Sequence, residues 1–287
     1  MRSVGLVARD LIPTYPDIMC MHRLVVIVAA AAIMLLQPAC TEVSGTGRSQ
    51  FNILSVDDEL DLGQQAYVEE LDAAKQAGHT MLTNGAEHDR VMKVSQRIFD
   101  AANRMHPEIA QRFNWEMTVI DDPETVNAWA LPGGKSAVFT GLLPVTKTDA
   151  QLAVVIGHEA AHAIARHGGE RMSQEAALNV LMSAGFELSE ADAGTQEVVM
   201  NALGLGTLAF SRSQESEADH LGLLIAADAG FDPREAIPLW QNMAAAGGES
   251  PPEFLSTHPS ESTRIQRLND LMPEAMAVWQ AAKAAGR

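Results

Sequence analysis

The sequence predicts an α+β fold, mainly helical, in which a small β-sheet or hairpin flanks one central helix. Three observations predict it. Apolar residues recur at helical spacing over 56–77, over 87–105 and again between Thr148 and Gly168. Two short extended runs meet at a Pro-Gly-Gly turn. Alanine and methionine are plentiful while aromatic residues make up only 5%, a composition that favours helix over sheet.

Residues 1–40 read as a leader. Leu24 to Leu36 is an apolar run preceded by His22 and Arg23; at 1.5 Å per residue it is too short for a hydrocarbon core of roughly 30 Å. A positive residue, an apolar run and a small residue ahead of Cys40 form a secretory signal. Met19 and Met21 stand just before the charge, so translation is expected to start at one of them and 1–20 to be an extension. Leu36-Gln37-Pro38-Ala39-Cys40 resembles a lipobox, with Gln37 where leucine is usual. It implies a lipid anchor on Cys40, placing the protein in a periplasm on the outer or inner membrane. Residues 41–55 are polar and suit a tether, leaving 56–287 as a single domain.

Within that domain, Val56 to Ala77 and Glu87 to Met105 are expected helices, the second with Val91, Val94, Ile98 and Ala101 on one face. Trp115 to Ile120 alternates as a strand and stops at Asp121-Asp122-Pro123. Val126–Leu131 and Ser136–Thr140 flank Pro132-Gly133-Gly134 as a hairpin. Thr148 and Gln151 stand at capping-box spacing for the central helix, with Gly168-Gly169 as its stop. The formal charge of -17 excludes nucleic-acid binding.

The central helix carries His158-Glu159-Ala160-Ala161-His162. Positions i and i+4 project from one face, so both imidazoles reach one ion, and Glu159 lies beside it as a general base. Chance placement produces this pattern about once in fifty such chains. Its apolar surroundings sharpen it, since two histidines on a buried face need partners. A catalytic zinc takes a third protein ligand. Glu215-Ser216-Glu217-Ala218-Asp219 supplies candidates, and spacing leaves Glu215 and Glu217 both open.

These segments resemble the gluzincin zinc metallopeptidases of the HtpX, LoiP and BepA type. The marks are NAWALPGGKSAVFTGLL from Asn127, VVIGHEAAHAIARHGGERMS from Val154 and SRSQESEADHLGL from Ser211. GFDPREAIPLW from Gly230 and STHPSESTRIQRL from Ser256 extend them. The resemblance spans most of Val56 to Leu268. It implies a zincin-like fold and an endopeptidase with one Zn2+ held by His158, His162 and Glu215, with Glu159 as base. Asp219 would hydrogen-bond a ligand histidine and Arg264 anchor a neighbouring loop. Asn127, Ala128, Trp129 and Ala130 would form a substrate-binding edge strand. His258 would either stabilise the oxyanion or take the fourth metal place and hold the enzyme latent. Unfolded or misassembled envelope proteins would be its substrates. The alternative is a zinc-stabilised chaperone or assembly factor with little peptidase activity. His167 and His220 adjoin the motifs, but their spacing does not complete the ligand set. The apolar stretch 172–211 reads as a buried helical hairpin, as a cover over the cleft or as a membrane-facing patch.

Overall fold

The computed structural model describes residues 40–183, 210–246, 252–258 and 263–287. The leader and most of the apolar stretch, 184–209, therefore lie outside the described residues. Helix α1 (Val56–Gln76) begins where Ser55 and Asp58 cap each other's backbone N–H groups. After β3 (Thr80–Leu82), helix α2 (Ala86–Met105) turns Val91, Val94, Ile98 and Ala101 into the core, as its periodicity predicts. A short α3 (Pro107–Ala110) leads to β4 (Glu116–Asp121), β5 (Ala128–Ala130) and β6 (Lys135–Phe139). The sheet runs β3-β4-β6-β5; β4 and β6 are parallel and the outer pairs antiparallel. The predicted hairpin is β5–β6. Gly133 and Gly134 turn it at φ of 84° and 82°, values that cost other residues strain. Its connection leaves β5 on the open edge.

Helix α4 (Asp149–Ile164) is buried from Gln151 to Ile164 on every face, which marks it as the central element. Helices α5 (His167–Ser183), α6 (Arg212–Asp228), α7 (Ala236–Ala246), α8 (Glu253–Thr257) and α9 (Arg264–Ala284) complete the described order. None of the described helices is long and apolar enough to cross a membrane.

Two expectations change. Gly168-Gly169 does not end α4, because both glycines lie in the first turn of α5. The chain instead turns at Arg166, whose φ is 57°. That left-handed conformation is costly for a residue with a side chain. It is held by the guanidinium on Glu59, at 2.7 and 3.1 Å, and on the Leu54 carbonyl at 2.8 Å. Nor are residues 41–55 a loose tether. Strands β1 (Cys40–Glu42) and β2 (Ser49–Phe51) form a two-stranded ribbon. Val43 packs with Ala161, Ala165, Ala218 and Leu221. The polar residues that read as solvated find buried partners instead: Arg48 binds Glu170 and Glu217, and Asn52 binds Glu59.

Helices α4 and α6 approach until their backbones touch. A Cβ on Gly222 would stand 2.7 Å from the His158 nitrogen, and one on Gly157 would stand 2.7 Å from the Gly222 carbonyl oxygen. Only glycine permits this crossing. It brings the face of α6 carrying Glu215 and Asp219 against the two histidines of α4.

Candidate metal centre

His158, His162, Glu215 and His258 each offer a ligand atom within 4.8 Å of all the others, and all four are buried. The His158 and His162 Nε2 atoms are 3.1 Å apart. His258 Nδ1 lies 3.3 Å from His158 Nε2 and 2.9 Å from Glu215 Oε1. Glu215 in turn lies 3.3 Å from His162 Nε2 and 3.4 Å from His158 Nε2.

The outer nitrogens of the two α4 histidines are engaged elsewhere. His158 Nδ1 stands 3.1 Å from Asp219 Oδ1, and His162 Nδ1 stands 2.8 Å from His167 Nδ1. With protons on those outer nitrogens, both inner Nε2 atoms present lone pairs to each other. No hydrogen bond satisfies two facing acceptors. A cation between them does, and it would also meet Glu215 Oε2 and Glu159 Oε1, both buried without a hydrogen bond. Imidazole and carboxylate donors in this number suit zinc.

The electrostatics favour positive charge at this spot, supplied by a proton on His158 or by an ion. Burial opposes charge on His158, yet Glu215 and Asp219 outweigh it and lift its pKa to about 9. Burial drives His162 well below its ordinary value, with a charged His158 adding to the effect. Glu215 is also desolvated, but the histidines around it hold it far below the carboxylate range. Burial raises Glu159, against His258 and His158, the direction a proton acceptor needs to work near neutral pH.

Arg264 is 1% exposed. Its Nη2 donates to Asp219 Oδ1 at 2.6 Å and stands 3.3 Å from Glu215 Oε2, while the guanidinium lies 3.4 Å from the centroid of the Trp240 ring. It therefore neutralises both α6 carboxylates from behind.

Beside the centre runs β5. Ala130 makes a backbone hydrogen bond to Glu159, which places the open edge next to that carboxylate. Ala128 is buried, and Trp129 packs edge-on to Tyr67 at 6.1 Å. The Asn127 side chain is spent on structure: its amide donates to Glu253 at 2.9 Å, and its oxygen accepts from Ala128. It ties the edge strand to α8, and His258, 2% exposed, directly follows that helix.

The sequence reading set His167 aside, weighed Glu217 only as a ligand and passed over Arg48. His167 is fully buried against His162; desolvation lowers its pKa against the pull of Glu217. Glu217 lies in contact with His167, Arg48 and Thr46, on the far side of α6 from Glu215. His220 pairs with Glu274 at the surface.

The sequence profile described as Peptidase family M48 matches residues 85–272. The mitochondrial metalloendopeptidase OMA1 of Schizosaccharomyces pombe is 36% identical over 80% of this chain and 66% of its own length. The human metalloendopeptidase OMA1, mitochondrial, is 32% identical over 81% of this chain and 44% of its own. The beta-barrel assembly-enhancing protease of Escherichia coli is more distant, at 26% over 86% and 52%. The chain thus spans about half to two thirds of the length of these relatives. The relatives of higher identity bear mitochondrial names. They overturn the expected placement in a periplasm as an envelope lipoprotein, and they lend no support to a lipid anchor on Cys40.

Proposed function

Because the chain belongs to peptidase family M48, we propose that it is a zinc metalloendopeptidase in which His158, His162 and Glu215 hold the ion. The observation that supports this most is the pair of Nε2 atoms facing each other at 3.1 Å beside the Glu215 carboxylate. When bound, zinc supplies a Lewis acid that polarises a peptide carbonyl and makes water acidic. Glu159 accepts the proton of the attacking water and returns it to the leaving nitrogen. Asp219 keeps the His158 proton on Nδ1, and Arg264 keeps Asp219 ionised.

Substrates are proteins, bound as extended segments along the open edge of β5, where the register turns the Ala128 and Ala130 carbonyls away from β6. Recognition through the main chain is weakly selective for side chains. That suits unfolded or misassembled proteins, whose backbone is exposed. Casein degradation by the purified chain is expected to stop on chelation and return with one equivalent of zinc. Cleavage that persists in a metal-stripped sample would remove the proposal.

His258 belongs to the same group of four and would take the fourth place beside the ion, which the attacking water needs. Its Nε2 lies 3.4 Å from Glu159 Oε1, so the ring also covers the base. His258→Ala is therefore expected to raise the casein rate by opening that place. A fall in rate would instead assign His258 to oxyanion stabilisation.

A further inference from the structure

Outside the ligand set, a chain of polar groups, buried from His162 to Glu217, leads to the half-buried Arg48 of the N-terminal ribbon, and its hydrogen bonds admit one proton order. This inference rests on the proposal that His162 binds the ion through Nε2. The His162 proton then sits on Nδ1. The facing nitrogen, His167 Nδ1 at 2.8 Å, must accept it, so the His167 proton sits on Nε2. That nitrogen lies 2.9 Å from Glu217 Oε2 and donates there. Glu217 Oε2 is thereby an acceptor. Arg48 Nε donates to the same oxygen at 2.7 Å, and the Thr46 hydroxyl donates to the other. The remaining Arg48 nitrogens donate to Glu170 at 2.9 and 2.8 Å, and Gln214 donates to Glu170 at 2.9 Å. The left-handed turn at Arg166 folds His167 back onto His162 and makes the contact possible.

We propose that His167 is a positioning residue that, through Glu217 and Arg48, fixes the tautomer and ring orientation of His162 and so couples the metal centre to the ribbon formed by β1 and β2. The two histidines of α4 are held by different devices. A carboxylate touches His158 directly, whereas for His162 the carboxylate stands one imidazole further out. A partner of this kind raises ligand basicity and metal affinity by orienting the ring in advance.

The test is zinc affinity, measured on the full chain by competition with a chromophoric chelator, with the melting temperature of the ion-free chain recorded alongside. His167→Phe fills the same buried space without an acceptor. It is expected to bind zinc about 10- to 100-fold more weakly, with little change in ion-free melting. His167→Asn returns an acceptor near the position of Nδ1 and is expected to recover most of the loss. Unchanged affinity in His167→Phe overturns the inference, and equal loss in both variants overturns its hydrogen-bond basis in favour of packing. Should the phenylalanine variant not fold, Glu217→Met decides. It keeps the length of the side chain and removes the oxygen that accepts the His167 proton, so weaker zinc binding is expected and unchanged binding overturns the relay. A wild-type chain that takes up no zinc overturns the metal-site proposal itself. Zinc held equally by wild type and His167→Phe overturns this inference alone.

Discussion

Glu159→Gln is expected to lower the casein rate by about 10²- to 10⁴-fold, the usual contribution of a positioned general base, with zinc content unchanged. Glutamine keeps the size of the side chain and can still accept from the Ala130 backbone. What it loses is the capacity to take a proton. Glu159 lies outside the group of four placed to hold an ion, so binding and chemistry separate in this variant. Equal rates at matched zinc content would favour the zinc-stabilised chaperone reading, because a structural site has no use for a base beside its ligands.

Gly222→Ala is expected to destabilise the chain by about 1–3 kcal/mol and to weaken zinc binding in the same variant. The added Cβ meets the His158 nitrogen at 2.7 Å and the Gly157 carbonyl carbon and oxygen at 2.8 Å. These are backbone atoms of a helix buried on every face, and no rotamer change relieves the clash. Relief requires α4 and α6 to part, and that moves Glu215 away from the two histidines. Thermal melting and chelator competition check the two effects. Loss of stability with full zinc affinity would show that the ligand geometry tolerates a wider crossing.

The candidate metal centre was legible in the sequence because helical periodicity converts spacing into direction. His158 and His162 at i and i+4 must share a face, and the apolar residues between them place that face inside. The Pro-Gly-Gly hairpin was legible for a similar reason, since its glycines take conformations open to few other residues. Glu215 and Glu217 could not be separated by residue spacing alone, although two helical positions apart they point to different sides. The structure sends one to the histidines of α4 and the other to His167 and Arg48. His167 was hidden by the turn before it. Gly168-Gly169 resembles a helix stop, whereas the turn belongs to Arg166, whose left-handed backbone depends on a distant ion pair with Glu59. The ribbon at 41–55 was missed because polar composition reads as solvated chain. Its charges are instead matched by buried carboxylates more than a hundred residues away. The expected envelope setting rested on the leader, and the mitochondrial names of the relatives correct it.

The most direct measurement is the metal content of the purified full chain, with absorption spectroscopy at the zinc edge to read its ligands. The expected result is one zinc per chain, bound by nitrogen and oxygen at about 2.0–2.2 Å, and lost when His162 or Glu215 is replaced by alanine. A chain without stoichiometric divalent metal, or one that keeps its zinc in both variants, would contradict a centre built by α4 and α6.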